Sequence, residues 1–160
     1  MLMTMRGVPQ MYYGDEILMK NFSNPDGLVR EDFPGGWAGD KDNKFSAKGR
    51  SEKENEAFNY VKTLANYRKN TTALQTGKMM QYIPENGVYV YFRYDAAKTV
   101  MVVYNSREKE QDVETARYAE RINGAEKAKN VITNKTIDLS KLTLPAKGTL
   151  VLELISKNTH

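Results

Sequence analysis

The clearest pattern in the chain is an apolar stripe at helical spacing within residues 51–70. The stripe consists of Ala57, Phe58, Val61, Leu64 and Ala65. The opposite face is polar and carries Lys53, Asn59, Lys62, Asn66 and Lys69. Ser51 followed by Glu54 has the spacing of a capping box, in which the two residues satisfy each other's free backbone N–H groups. The pattern predicts one helix that packs its apolar face on another element and turns its other face to water.

After this helix the polarity alternates with the two-residue period of β-strands. Residues 79–84 and 88–94 flank Glu85-Asn86-Gly87, and Asn-Gly favours a hairpin because both turn residues adopt positive φ. In the second strand the alternation divides the side chains between two faces. One face carries Val88, Val90, Phe92 and Tyr94, and the other carries Tyr89, Tyr91 and Arg93.

Further short strands are predicted along the rest of the chain, each bounded by Gly, Pro, Asn or Lys. They cover residues 99–105, 130–133, 136–139, 142–144 and 148–154. Residues 114–122 fit either a helical turn or an irregular strand. Many short strands in one run after a helix are typical of an antiparallel β-sandwich.

The first fifty residues differ from the rest, since they hold seven of the eleven glycines and three of the five prolines. A short strand-like run, residues 8–13, comes directly before Gly14-Asp15-Glu16. Residues 24–37 then combine turn residues with an acid, an arginine and a tryptophan. Long loops of this composition usually carry function rather than only connect elements.

Composition excludes several classes of function. The 160 residues suffice for one domain, or for one domain and part of another. The net charge is +4, but acidic and basic residues alternate without forming a basic stripe, so we predict no nucleic-acid partner. No apolar run approaches the roughly 20 residues that cross a bilayer, so we predict no membrane insertion. With no cysteine and His160 as the one histidine, we predict no metal site, no catalytic triad and no cofactor.

Several motifs, in order, resemble glycoside hydrolase family 13, the α-amylase family. The family pattern Gly-x-Pro-x-x-Tyr-Tyr-Gly-x-Glu, at its eighth barrel strand, is met by Gly7, Pro9, Tyr12, Tyr13, Gly14 and Glu16. The stretch VREDFPGGWAGD (29–40) and the helix ending in LANYRKN (64–70) resemble the neopullulanase and cyclomaltodextrinase branch. TGKMMQYIPENGVYVYFRY (76–94) resembles the start of the small sandwich domain that follows the barrel.

The resemblance implies a predominantly β fold class. An antiparallel β-sandwich C-terminal domain over residues 77–160 would follow a remnant of the catalytic barrel over residues 1–76. That remnant would comprise the last strand, loop and helix of a (β/α)8 barrel, and a barrel carries its active site on such loops.

The resemblance also implies that this chain lacks catalytic residues. The carboxylates of the family follow the fourth, fifth and seventh barrel strands, and therefore precede Met1. A parent enzyme would be a retaining α-glycosidase, which needs two carboxyl groups about 5–5.5 Å apart. Asp15 and Glu16 do not replace them, because adjacent residues in extended chain point to opposite sides. We expect Glu16 to brace the base of the loop.

Three residues are candidates for substrate binding. In related enzymes an aspartate and an arginine in this loop hold sugar hydroxyls, and by spacing these correspond to Asp26 and Arg30. The alternative is an ordinary loop salt bridge. Trp37 is interpreted either as a sugar-stacking surface or as packing, and Phe33 is a further stacking candidate. For Tyr12 and Tyr13 we favour packing.

Three hypotheses about function follow. The first is a non-catalytic C-terminal part of an α-glucan hydrolase that stabilises the barrel and contributes outer substrate subsites, with α-glucan oligosaccharides as partners through the parent enzyme. The second is a starch-type carbohydrate-binding module that uses Tyr89 and Tyr91, about 7 Å apart on one strand face. The third is a purely structural domain, which we favour for residues 77–160 taken separately. Unpaired, residues 8–13 would expose an apolar edge that favours self-association, and residues 1–50 would be loosely held or packed in a non-barrel way. The compartment stays open between the periplasm, which the resemblance suggests, and the cytoplasm.

Overall fold

The computed structural model describes residues 1–155; the predictions for residues 156–160, including His160, lie outside the described part. The chain forms two compact units. One comprises residues 1–8 together with everything from Leu64 onward, and the other comprises residues 9–63. The predicted boundary between barrel remnant and sandwich, at residues 76 and 77, stays a prediction.

The part of the larger unit that the structure describes is built on eight strands, all paired antiparallel. They are β1 (Lys78–Gln81), β2 (Val88–Tyr94), β3 (Thr99–Asn105), β4 (Gln111–Val113), β5 (Lys127–Asn130), β6 (Thr136–Asp138), β7 (Leu142–Leu144) and β8 (Thr149–Ile155). Six of them form one sheet in the order β1-β2-β3-β8-β5-β6, and β4 pairs with β7 in a second sheet.

Both faces of the six-stranded sheet are covered. On one face Val90, Phe92, Met101 and Leu152 belong to a core that includes residues of the second sheet, namely Val113, Leu142 and Leu144. On the other face Tyr91, Val100, Val102 and Val151 form a second core with Leu64 and Leu74. The sandwich prediction is confirmed. Residues that precede the strands supply part of the cover on this second face.

The predicted helix is present as α1 (Glu52–Lys69), followed by the short α2 (Thr72–Gln75). Its capping box is formed: the Ser51 N–H donates to Glu54 Oε2 at 2.6 Å, and the Glu54 N–H donates to Ser51 Oγ at 3.3 Å. Leu64 is buried, while Ala57, Phe58, Val61 and Ala65 are half-buried. The helix prediction is therefore confirmed at its start and over its length.

The hairpin is confirmed in register and in its turn. Lys78 pairs with Tyr94 and Gln81 with Tyr91. Asn86 and Gly87 have φ of 51° and 79°, the positive values that the pair predicts. Residues 114–122, which the sequence left open, are helical. They form a 3-10 turn, Thr115–Tyr118, followed by α3 (Ala119–Ile122).

Residues 8–13 form no strand, as expected of a barrel strand for which no segment within residues 1–155 supplies a neighbour. One strand prediction is wrong. Residues 130–133 were predicted as a strand, but β5 ends at Asn130. The Asn130 Oδ1 atom accepts hydrogen bonds from the N–H groups of Ile132, at 2.9 Å, and Thr133, at 3.1 Å. This side chain turns the backbone and stops the ladder.

The smaller unit holds little regular structure before α1. It contains three 3-10 turns, Asp15–Ile17, Asp26–Arg30 and Ala47–Gly49. Gly14 introduces the first turn at φ 91°, and a Cβ placed there would lie 2.5 Å from Met19 Sδ. Only glycine fits this position. Within residues 1–155, no helix is both long enough and apolar enough to cross a membrane.

Candidate functional site

The two predicted sugar-binding charges meet each other in the loop of the smaller unit. Arg30 Nη2 lies 2.6 Å from Asp26 Oδ2, four residues apart across one 3-10 turn. Both side chains are about two-thirds exposed, at 66% for Arg30 and 69% for Asp26. The contact is the loop salt bridge that was the alternative interpretation. It also presents a guanidinium and a carboxylate side by side at the surface.

Trp37 lies at the surface rather than in a core. The residue is 76% exposed, and its backbone N–H donates to Asp40 Oδ2 at 2.9 Å. Phe33 packs on Phe45 instead, with ring centroids 4.6 Å apart. The indole therefore has an open face, while Phe33 is engaged in packing.

Asp15 and Glu16, the acids at the end of the Gly7–Glu16 motif, accept hydrogen bonds from nearby backbone N–H groups. Glu16 Oε2 accepts from the Gly14 N–H at 2.9 Å, as expected of a residue that braces the loop base. Asp15 Oδ2 accepts from the Tyr12 N–H at 3.2 Å. Each carboxylate is thus used by a backbone group within three residues. This arrangement agrees with a structural role for Asp15 and Glu16.

A cleft of about 510 Å³ opens beside these residues, and sequence reasoning did not predict it. Tyr12 and Tyr13 line it with their rings 4.5 Å apart, together with Lys20, Asn21 and three acids, Asp15, Glu31 and Glu54. Tyr13 donates its hydroxyl to the Glu31 carbonyl at 3.0 Å. Tyr12 and Tyr13 are 57% and 42% exposed, so the two rings pack on each other but are not buried in a core. The lining comes from distant segments, which explains why no local pattern indicated it.

One acid of this cleft, Glu54, is engaged by neighbouring groups. The Lys44 ammonium, 2.7 Å from Glu54 Oε2, and the Ser51 backbone N–H hold the pKa of Glu54 below its ordinary value. A general acid at a glycosidic bond needs its pKa raised instead. Glu54 is used as a helix cap and ion-pair partner. Within residues 1–155, no group of three or more His, Cys, Asp or Glu side chains is placed to hold a metal ion.

The larger unit contains a pair of buried arginines that sequence analysis did not single out. Arg93 is fully buried, and its Nη1 donates to the carbonyls of Thr4, at 3.2 Å, and Met5, at 2.8 Å. Its Nη2 donates to the Gly77 carbonyl at 3.2 Å. The one signal in the sequence was an arginine within an otherwise apolar and aromatic strand, VYVYFRY.

Arg68, near the end of α1, binds the same N-terminal segment. Its Nη1 donates to the carbonyls of Met3 and Met5, each at 3.2 Å, and its Nη2 to that of Gly7 at 2.6 Å. Burial, and then the neighbouring charge of Arg68, lower the pKa of Arg93. Two cations are thus neighbours in the interior and are bound by main-chain oxygens. We call this arrangement the arginine clamp (Arg68, Arg93 and the carbonyls of residues 3, 4, 5, 7 and 77).

The proposed aromatic platform on β2 is wrong. Tyr91 is fully buried, and its hydroxyl lies 2.6 Å from Thr4 Oγ1. Tyr89 is half-buried, with its ring centroid 5.4 Å from that of Tyr91 and its hydroxyl donating to Gln81 Oε1 at 2.7 Å. The face that carries them packs on the N-terminal segment and α1, so it offers no flat surface to a sugar.

A second polar link joins α1 to the sheet. Tyr67 donates its hydroxyl to Glu153 Oε2 at 2.7 Å, and Lys98 Nζ lies 2.9 Å from Glu153 Oε1. Burial, and then the hydrogen bond to Glu153, raise the pKa of Tyr67 far above its ordinary value. The hydroxyl therefore stays a donor at any ordinary pH. Glu153 on β8 is the acceptor that ties the helix end and β3 together.

Comparison with known proteins agrees with this geometry. A model of the family described as the cyclo-malto-dextrinase C-terminal domain matches residues 79–153. A cyclomaltodextrin glucanotransferase from Klebsiella oxytoca is 34% identical over 113 residues, which cover 66% of this chain and 15% of the relative. A second, from Niallia circulans, is 29% identical over 166 aligned positions, covering 98% of this chain and 20% of the relative.

Solved structures extend the likeness to the fold of nearly the whole chain. An α-amylase from Anoxybacillus superposes with a TM-score of 0.70 at 18% identity, covering 99% of this chain and 31% of that enzyme. At this identity the likeness concerns the fold alone. The chain spans only 15–20% of the length of the curated relatives named above.

Proposed function

We propose that the chain is the non-catalytic, stabilising C-terminal part of an α-amylase-family enzyme that acts on α-glucans. The observation that carries the proposal is the arginine clamp. Through it, the sandwich sheet and the end of α1 hold the main chain of residues 3–7, which leads into the Gly7–Glu16 motif. The proposed task of residues 64–155 is to keep this segment in one conformation.

The chemistry of the clamp supports a positional role. Burying a cation costs several kcal/mol unless its donors are satisfied. Here main-chain carbonyls satisfy most of them, and charged hydrogen bonds of this kind contribute about 1.5–3 kcal/mol each. Because the acceptors are main-chain atoms, the clamp fixes the path of the backbone whatever the side chains of residues 3–7 are. Such an interaction suits a scaffold.

We expect the chain to be inactive alone. Retaining hydrolysis requires a nucleophile and an acid/base about 5–5.5 Å apart, and two acids of the cleft, Asp15 and Glu54, act as turn and helix caps. Incubation with maltoheptaose, pullulan or cyclodextrin should release no reducing sugar above a blank. Sustained release by the purified chain would refute the non-catalytic assignment.

We further propose that Asp26, Arg30 and Trp37 contribute outer subsites for α-glucan oligosaccharides. The support is the exposed indole of Trp37 and the surface ion pair of Arg30 with Asp26. The planar guanidinium of Arg30 donates several hydrogen bonds at fixed angles, which suits sugar hydroxyls. Affinity electrophoresis in gels that contain soluble starch tests this. Trp37→Ala and Arg30→Ala should remove any retardation, while Phe22→Ala, at an equally exposed phenylalanine, and Arg6→Ala should keep it. Equal retardation of all four variants would refute the subsite assignment.

Residues 8–13 remain a candidate surface for self-association. Val8 is 94% exposed, and Met11 and Tyr12 are also exposed, so the segment presents apolar side chains to water. Sedimentation at rising protein concentration should show a larger species that Val8→Glu weakens. A monomer at all concentrations would refute the proposal. Membership of the neopullulanase branch stays a prediction.

A further inference from the structure

The sequence contains two Asn-Gly pairs, and the structure places them in very different surroundings. They are Asn86-Gly87, in the hairpin between β1 and β2, and Asn123-Gly124, in the turn between α3 and β5. In both pairs the two residues have positive φ. We infer that Asn123-Gly124 is a site of spontaneous deamidation. Asn86-Gly87 is protected from the same reaction by the residues that surround it.

The reaction needs only the chain and water. The backbone nitrogen of the glycine loses its proton and attacks Cγ of the asparagine, the new N–C bond closes a five-membered imide, and the bond from Cγ to Nδ2 breaks to release ammonia. Water then adds to either ring carbonyl and opens the imide to aspartate or isoaspartate, with no change in oxidation state. Glycine favours the attack because it has no Cβ to crowd its nitrogen. Ring closure requires the asparagine backbone to leave its folded conformation, so local opening controls the rate.

Asn86-Gly87 is held on both sides. Glu85 and Val88 exchange two backbone hydrogen bonds across the turn, of 2.8 and 3.1 Å. Ser106 donates both its N–H and its hydroxyl to the Gly87 carbonyl, at 2.8 and 2.9 Å, and Arg107 Nε donates to the Asn86 carbonyl at 3.2 Å. The Arg107 side chain also lies against Gly87, where a Cβ would meet it at 2.6 Å. Opening this turn breaks contacts to β3 and to the chain that follows it.

Asn123-Gly124 has much weaker support. The Asn123 N–H donates to the Ala119 carbonyl at 2.9 Å, and the Ala125 N–H to that of Ile122 at 3.1 Å. Within residues 1–155, no hydrogen bond reaches the carbonyl oxygen of Asn123 or Gly124. Both residues are exposed, and space is open within 4 Å of the position of a Gly124 Cβ. The pair caps only the four-residue α3, so it opens without disturbing the sheet.

Mass spectrometry of tryptic peptides separates the two sites, because Asn86 falls in peptide 79–93 and Asn123 in peptide 122–127. The full chain is incubated at mildly alkaline pH, folded or in urea, and the deamidated fraction of each peptide is followed in time. Folded, Asn123 should deamidate several-fold faster than Asn86; in urea the two rates should converge. Equal rates in the folded protein, or a faster Asn86, would overturn the inference.

Two variants test the physical cause. Arg107→Ala removes the side chain that covers Gly87 and should raise the rate at Asn86 while leaving that at Asn123 unchanged. Asn123→Gln should abolish the reaction in peptide 122–127, since ring closure then gives a less favourable six-membered imide. An unchanged rate at Asn86 in folded Arg107→Ala protein would refute protection by Arg107.

Discussion

Arg93 Nη1 lies 2.8 Å from the carbonyl oxygen of Met5, a contact between residues 88 positions apart in the sequence. It joins the interior of β2 to the N-terminal segment, and Arg68 repeats the contact from α1 with Nη1 3.2 Å from the same oxygen. A cation in an apolar face thus acts as a main-chain anchor.

Replacing Arg93 with methionine should therefore loosen residues 3–7. The change leaves the carbonyls of Thr4 and Gly77 without this donor and the Met5 carbonyl with Arg68 alone, and an unsatisfied buried group costs about 1–3 kcal/mol. We expect Tm to fall by about 5 °C or more, and amide exchange at residues 3–7 to accelerate. Arg6→Met, at an exposed arginine of the same segment, is the matched control. Unchanged exchange in Arg93→Met would contradict the anchoring role.

Tyr91→Phe should cost stability where Tyr89→Phe does not. The Tyr91 hydroxyl is buried against Thr4 Oγ1 at 2.6 Å, and loss of such a bond costs about 1 kcal/mol. The Tyr89 hydroxyl bonds to Gln81 at an exposed position, so its removal should change the free energy of unfolding by a few tenths of a kcal/mol. Urea denaturation of the three proteins measures the difference. A larger loss from Tyr89→Phe would contradict the burial argument.

Glu153 should make the larger unit sensitive to acid. Burial by itself raises the pKa of this carboxyl, but the hydrogen bonds from Tyr67 and Lys98 outweigh it and lower the pKa in the folded state. The contribution is therefore complete above the unfolded value of about 4.3 and is lost as pH falls through the lower folded value. Glu153→Gln should lose less stability than the wild type between pH 6 and about pH 3.5. Glu56→Gln, at an exposed acid of α1, is the matched control, and a Glu153→Gln stability profile identical to that of the wild type would rule out the link.

Ser51→Ala should fray the first turn of α1. The hydroxyl accepts from the Glu54 N–H at 3.3 Å, and loss of an N-cap costs about 1 kcal/mol. Amide exchange at residues 52–55 should rise, while that at residues 64–69 stays slow because Leu64 and Arg68 are buried there. Ser51→Thr, which keeps the hydroxyl, is the control. Equal protection of residues 52–55 in Ser51→Ala would show that the cap does not hold the helix start.

The sequence by itself determined the features that neighbouring residues fix. Ser51 and Glu54 set the start of α1, Asn86-Gly87 set the hairpin, and the alternation in 88–94 divided β2 between two cores. Each of these features depends on groups a few residues apart, so the sequence pattern predicts it without knowledge of the fold. The cyclomaltodextrinase-like motifs likewise indicated the similarity to the cyclo-malto-dextrinase C-terminal domain over residues 79–153.

Only the tertiary structure decided the rest. Whether residues 8–13 form a strand depends on a neighbour that no local pattern contains. The side of β2 that carries Tyr91 looked like a sugar platform until Thr4 and α1 were found to cover it. The role of Arg93 depends on carbonyls at residues 4, 5 and 77, whose acceptor capacity is common to all residues and leaves no trace in sequence. Contacts of a side chain with distant main-chain atoms are set by folding alone.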